Sequence, residues 1–410
     1  MTKEQNKKAP NLRFKGFTND WEQRKLGEVF LYKQGIQVPV EQQYSHKLPG
    51  LIRFIRISDI VSSNEPPRFI NYHGTNLIKP DDLFMVRYGN PGMISMGYSG
   101  VIANNLFRLI PKKNIYTLFF YFLLIFENKR LNLLVSNTTM PALSFKALDT
   151  FYVNFPEKLP EQKVIGSLLK KLDSLITLQQ RKLELLKEIK KGLLQKMFAD
   201  KSKFPILRFE GFHAEWEQRK LGDIIKVSGG VPFKPSDYIS NGLATIPKSS
   251  VNESGKANLR DAKQVSIKFK SKQNSLVYNG DIITSLRDLV PTAPNLGRVV
   301  QIDGTRTVYI LSQGVYSLKA NSNYVTKQFM VEYSNTPRYR NEIYKIKNGS
   351  TQVHIRSGQY LNIAISIPNI SEQVKVSKLL KIINISITLQ QRRLTKLNSI
   401  KKSLLQQMFI

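Results

Sequence analysis

Apolar residues recur along this chain at two periods, and the change of period marks its elements. From Ile165 the positions step alternately by four and three: Ile165, Leu169, Leu172, Ile176, Gln179, Leu183, Leu186, Lys190, Leu193, Met197. A second run does the same through Val376, Leu380, Ile383, Ile387, Gln390, Leu394, Leu397, Lys401, Leu404 and Met408. The interruptions, a Gln and a Lys, fall at the same two places in each. A four-three alternation sustained this long is a coiled-coil seam, so each run predicts one long helix. Over residues 161–198 such a helix would be roughly 57 Å long. Elsewhere short β-rich runs, such as 51–57, alternate with turn clusters such as Gly89-Asn90-Pro91-Gly92, and predict mixed α/β segments at about 28–155 and 223–367.

Two such helices in one chain are expected to pair. In an antiparallel pair Gln179 and Gln390, each near the middle of its helix, meet and hydrogen-bond, while Lys190 and Lys401 lie off-centre with room to snorkel. A parallel pair sets Lys190 against Lys401, which is repulsive. The expectation is an antiparallel coiled coil with Ile176, Gln179, Leu183, Ile387, Gln390 and Leu394 at its centre, the polar pair fixing register. Leu175, Leu178, Leu185 and Ile189 lie off the seam and call for further packing partners, from this chain or another. The second helix is basic outside, with Lys375, Lys378, Lys381, Arg392, Arg393, Lys396, Lys401 and Lys402 against Glu372. Ordinarily such a run is a solvated face.

The chain is internally duplicated. Ile-Thr-Leu-Gln-Gln-Arg at 176–181 returns at 387–392, an offset of 211 (387 − 176), and both helices end in Leu-Leu-Gln-x-Met-Phe. Arg13-Phe14-x-Gly16-Phe17 followed by Trp21-Glu22-Gln23-Arg24-Lys25-Leu26-Gly27 recurs at 208–212 and 216–222, an offset of 195 (216 − 21). The region between therefore gained 16 residues (211 − 195) in the second copy. Glu161-Gln162 and Glu372-Gln373 open the helices, each after a strand ending at Pro156 or Pro368. Similar ends imply docking on similar surfaces, and dissimilar middles imply that the two copies bind different things.

In the middles, the strand 82–88 corresponds loosely to 280–288, each emerging into a loop with an Arg at its mouth. That Arg is either half of a structural ion pair or a bidentate ligand for guanine or phosphate. The turns Asn137-Thr138-Thr139-Met140-Pro141 and Gly349-Ser350-Thr351-Gln352-Val353 sit at matching places. They either present N–H and hydroxyl groups to a phosphate or are simply turns.

Charge narrows the partner. Of 410 residues, 62 are Lys or Arg against 30 Asp or Glu, a formal charge of +32, and 41% are hydrophobic, enough for two or three folded domains. A field of this size points to a polyanion, with an anionic membrane surface or an RNA as rivals. The absence of Cys excludes disulfides and thiolate sites. The polar start Met1–Lys8 lacks the apolar core of a signal peptide. The most apolar run, Tyr116–Phe126, is too short for a membrane span and is expected to be a buried helix. A cytoplasmic protein follows as the expectation.

Catalytic motifs are missing. No phosphate-binding Gly-x-x-x-x-Gly-Lys-Ser/Thr loop occurs. Asn64-Glu65-Pro66-Pro67-Arg68 only superficially resembles the Asn-Pro-Pro-Tyr of amino-methyltransferases. His46, His73, His213 and His354 are scattered. A nuclease would need clustered acids, for which Asp81, Asp82 and Asp281 are the candidates. The expectation is no catalytic residue and no bound metal.

The duplicated Arg-Phe-x-Gly-Phe…Trp-Glu-x-x-Lys-Leu-Gly entry, the strand-Pro…Glu-Gln exit and the long helix after each copy together resemble the DNA specificity (S) subunit of type I restriction–modification systems, over the whole chain. The resemblance implies an α+β fold of two mixed α/β target recognition domains, separated by two long helices that form an antiparallel coiled coil with a pseudo-two-fold internal repeat. On it, 1–155 and 201–367 are recognition domains, and 156–200 and 368–410 helical spacers. It implies a non-catalytic protein that binds an asymmetric bipartite site on double-stranded DNA, the helices acting as a ruler. Two methyltransferase subunits and two restriction subunits would be the partners, directing adenine methylation and ATP-dependent cleavage. S-adenosylmethionine, ATP and Mg would sit in those partners and no cofactor in this chain. Candidate DNA-contacting residues are Arg53, Arg56, Arg87, Tyr88 and Asn90 in the first reader, and Lys248, Arg287, Arg298 and Arg356 in the second. The alternative is a stand-alone nucleic-acid-binding scaffold, which would bind DNA tightly without partners.

Overall fold

The computed structural model describes residues 9–61, 65–136, 141–199 and 203–410. The Asn137–Met140 turn and the polar start Met1–Lys8 lie outside the described residues, as does Asn64. The fold is mixed helix and sheet, in two units: residues 1–180 with 393–410, and residues 181–392. The division runs through the two long helices, Leu159–Lys196 and Ile370–Met408, so each unit holds part of both.

Unit 1 has a four-stranded antiparallel sheet in the order Phe30–Gln34, Leu106–Pro111, Leu83–Val86, Ile94–Ser95. A second sheet sets Ile52–Ile55 antiparallel to Arg68–Ile70 and parallel to Val101–Ile102. Unit 2 repeats this. Ile225–Gly229, Val315–Ala320, Ile282–Ser285 and Val299–Gln301 form the first sheet. In the second, Tyr238–Ile246 lies antiparallel to Gln264–Val265 and parallel to Val308–Leu311, beyond which Leu276–Tyr278 is added. Gly35 and Gly230 occupy matching places. A Cβ there would fall 2.1 Å and 2.2 Å from the carbonyl oxygens of Ala103 and Ser312, so only glycine lets the two strands approach.

The repeated entry motif becomes a repeated lock. Its Trp-Glu-x-x-Lys segment forms a strand, Glu22–Lys25 or Glu217–Lys220, antiparallel to the strand before each long helix, Tyr152–Phe155 or Ala364–Ile367. Arg13 donates through Nε and Nη2 to the two Glu161 oxygens at 2.7 and 2.8 Å, and Trp21 Nε1 donates to Oε1 at 3.3 Å. Arg208 and Trp216 grip Glu372 in the same way at 2.7, 2.7 and 3.3 Å. Bidentate pairing inside a shielded site is among the stronger polar contacts available, and a carboxylate in the first turn also suits the helix dipole. The neighbouring glutamines tie each helix start to the sheet unit. Gln162 donates to the Pro156 carbonyl and accepts from Tyr116 N–H, both at 2.8 Å. Gln373 donates to Pro368 and Tyr324 carbonyls and accepts from Thr326 N–H.

Each core is closed by one helix start and the other helix's tail. In unit 1, Trp21, Phe30, Phe119 and Phe120 pack with Ile165 and Leu169, and with Met408 and Phe409. The expected apolar helix forms as Thr117–Phe126 and is buried here. In unit 2, Trp216, Phe329 and Tyr333 pack with Val376 and Leu380, and with Met197 and Phe198. Within each unit the helices therefore run antiparallel. The two seam lysines each meet an acid: Lys401 Nζ lies 2.5 Å from Asp173, and Lys190 feels the charge of Glu332, on the neighbouring helix Lys327–Tyr333. Ile176, Leu183 and Leu394 are buried and Ile387 half-buried; Gln179 is half-buried in unit 1, whereas Gln390, in unit 2, is 4% exposed. Leu175, Leu178, Leu185 and Ile189 are exposed.

Candidate nucleic-acid interface

Strand pairing corrects by one residue the match between 82–88 and 280–288. Val86 pairs with Leu106 and Ser285 with Val315; the next N–H groups, of Arg87 and Leu286, donate to Asn105 and Gly314 carbonyls. Tyr88 then bridges to Ala142 as Arg287 does to His354. Arg87 thus stands where unit 2 has the buried Leu286, and Arg287 where unit 1 has Tyr88. Because side chains alternate along a strand, one step reverses the face.

The consequence is visible in both arginines. Arg87 turns inward: Nη1 donates to Gln34 Oε1, and the guanidinium lies 4.6 Å from the Phe145 ring centre and 5.0 Å from that of Tyr88. Arg287 is exposed. Its stem and that of Lys248 converge over Gly314, where a Cβ would meet Arg287 Cδ at 3.1 Å and Lys248 Cε at 3.2 Å. The exposed Arg356 follows the same short ribbon, two residues beyond His354. Lys248, Arg287 and Arg356 thus share one basic end of unit 2.

The other candidates are engaged within their own units. Arg53 Nη2 and Arg56 Nε both donate to Asp59, at 2.5 and 3.3 Å, and Arg56 also reaches Glu65 and the Pro66 carbonyl. For these two the structural ion pair is the observed state. Asn90 is exposed, with Nδ2 3.6 Å from Met93 Sδ. Arg298 donates to the Pro294 carbonyl and to Asn335 Oδ1, and burial, then the nearby Arg340 charge, pushes its guanidinium pKa down. Gly349–Gln352 makes an exposed hairpin turn with Gly349 at φ +98°. The acidic candidates are spread out: Asp82 pairs with Arg108 at 2.7 Å and Asp281 with Lys327 at 2.9 Å, while Asp81 is exposed.

The loops between matching strands differ most. In unit 1 the first sheet turns through Arg87–Met93; in unit 2 the same connection is the longer Leu286–Arg298. The residues that brace this longer loop, Asp288, Tyr339 and Arg340, carry no motif by which the sequence alone could single them out. Tyr339 and Tyr360 are fully enclosed, their hydroxyls 3.0 Å apart, and burial pushes Tyr360 up to about 12. Among the described residues no group of His, Asp and Glu could hold a metal ion, and no helix is long and apolar enough to cross a membrane.

Comparison with known proteins places this architecture. A specificity subunit of the type I restriction enzyme MjaVIII from Methanocaldococcus jannaschii is 24% identical over 395 residues, covering 94% of this chain and 91% of that one. A putative type I restriction enzyme MjaX specificity subunit from the same organism is 23% identical over 310 residues, covering 73% and 69%. The crystal structure of a type I restriction–modification system S subunit from M. genitalium superposes with a TM-score of 0.67 at 14% identity, covering 98% of this chain and 99% of that one. A chain from a study of complex assembly and conformational transition of the type I system superposes at 0.51, with 15% identity and 94% and 96% covered. The model of the type I restriction modification DNA specificity domain matches twice, over residues 18–188 and 213–399. With two such domains filling most of its length, the chain belongs to the family of type I restriction–modification DNA specificity proteins.

Proposed function

We propose that the chain is the sequence-reading subunit of a type I restriction–modification complex, each unit recognising one half of an asymmetric bipartite site on double-stranded DNA. The observation that carries this reading is the pairing of one strand scaffold, kept register for register in both units, with a connecting loop that differs in length and chemistry. A duplicated frame with unlike loops is what two unlike half-sites require. The net charge of +32 supplies affinity for phosphates that is independent of sequence and falls steeply with salt.

On this reading the chain has no catalytic role and works in the cytoplasm. Two methyltransferase subunits and two restriction subunits carry the chemistry and hold S-adenosylmethionine, ATP and Mg. The test is co-expression with a methyltransferase subunit and mapping of methylated adenines. Exchanging residues 28–155 for the matching segment of another specificity subunit is expected to change one half of a single bipartite motif and leave the other half intact. Methylation unaffected by the exchange would overturn the proposal. Tight, selective DNA binding by the chain alone, with no methyltransferase retained, would instead favour the stand-alone scaffold.

A further inference from the structure

The Leu286–Arg298 loop of unit 2 is braced far more heavily than a connection between two strands needs. Asp288 accepts three N–H bonds: Leu289 at 2.8 Å and Val290 at 3.4 Å on Oδ1, and Asn295 at 3.0 Å on Oδ2. Arg340, 7% exposed, donates to the carbonyls of Leu296, Ala293 and Pro294 at 2.5, 3.1 and 3.3 Å. Lys347 Nζ holds the Pro291 carbonyl at 2.9 Å, and the Tyr339 hydroxyl holds that of Gly297 at 2.7 Å. The buried Ala293 sits at φ +45°, a left-handed conformation that costs energy for any residue with a Cβ and persists only where surroundings impose it.

What this bracing presents is apolar. Leu289 is 64% exposed and Val290 43%, side by side immediately after Arg287 and Asp288. Scattered exposed apolar side chains are ordinary. Two adjacent ones on a loop fixed by a buried guanidinium, a carboxylate and two further donors are not, because the ordering entropy has been spent before any partner arrives. The surroundings select the partner: Arg287, Lys248 and Arg356 lie at this end of the unit, and the Asp288 carboxylate is occupied by the loop's own amides. An apolar tip within a cationic rim matches a groove whose walls are phosphates and whose floor offers apolar atoms.

We propose that Leu289 and Val290 read base identity in the second half-site by packing on the C5-methyl group of thymine in the major groove, with Arg287 and Lys248 on the flanking phosphates or base edges. This rests on the DNA-reading assignment above. Unit 1, whose shorter loop carries the exposed Asn90 and the half-buried Pro91 at the same place, reads no base this way.

The experiment uses the full chain with its methyltransferase partner and a library of half-site sequences. The wild-type complex is expected to prefer thymine at one or two positions of the second half-site, and replacing that thymine by uracil is expected to weaken binding about three- to fivefold per methyl removed. Leu289→Ser with Val290→Ser should abolish the uracil effect and relax those positions alone. Both residues are exposed, so the variant is expected to fold, and unaltered selectivity at the remaining positions of the second half-site would verify this. Full discrimination by the variant, or indifference of the wild type to uracil, overturns the proposal. So does loss of methyltransferase co-purification by the variant, which would make the tip a protein contact. A wild-type complex that methylates no defined motif would instead defeat the DNA-reading assignment itself.

Discussion

Arg208 and Glu372 concentrate in one contact what the repeated entry motif does. Glu372 is almost wholly enclosed and Arg208 mostly so, and Trp216 shares the same carboxylate. Removing the acid alone leaves a shielded guanidinium with no counter-charge. Glu372→Ala is therefore expected to cost unit 2 about 3 kcal/mol, and Arg208→Ala in the same background to cost little more. Urea unfolding of the two single variants and the double variant checks this; additive losses would mean that the pair is not coupled. The residues of this lock were legible as a repeat, but their mutual contact was not, because Arg208 and Glu372 lie far apart in sequence and nothing local links them. Arg87 and Arg287 teach the complementary lesson. Both are an Arg at the end of a strand, and only pairing partners reveal that they stand one step apart and face opposite ways.

At the level of elements, the long helices were readable because a four-three pattern is dictated by helical geometry alone. The sheet units were readable only as strands and turns, since strand order depends on partners distant in sequence. The acids opposite the seam lysines escaped for the same reason. Glu332 comes from a short helix of unit 2 and takes a hydrogen bond from Asn384 at 3.1 Å. Burial raises its pKa, and Lys190, Gln328 and Asn384 offset this in part. A carboxyl whose folded pKa lies above its unfolded value binds more protons in the folded state. Its contribution to stability is therefore complete below the unfolded value and lost as pH rises through the folded one. Glu332→Gln should remove that slope: relative to the wild type, the variant gains stability as pH rises above about 4.5, the ordinary carboxyl value. Denaturant midpoints across that range test the sign, and a variant losing ground as pH rises would contradict it.

At the level of the molecule, the sequence already displayed the duplication, the charge and the unlike middles. It did not display which helix ends complete which core. Unit 1 is closed by Phe409, whose ring lies 5.4 Å from Phe119, 5.6 Å from Phe126 and 6.3 Å from Trp21, centre to centre. Phe409→Ala should cost unit 1 about 3 kcal/mol. Faster amide exchange across 20–155, with 217–367 unaffected, is the expected readout, and equal exchange in both would refute the assignment. This closure has a consequence for biosynthesis. A ribosome adding about 5–20 residues each second completes the whole of unit 2 before it reaches Met408 and Phe409, whereas Met197 and Phe198, which unit 2 needs, are already made. The core of unit 2 is thus complete in sequence at Leu380. Unit 1, translated first, must hold an unfinished apolar core until the end of the second long helix arrives.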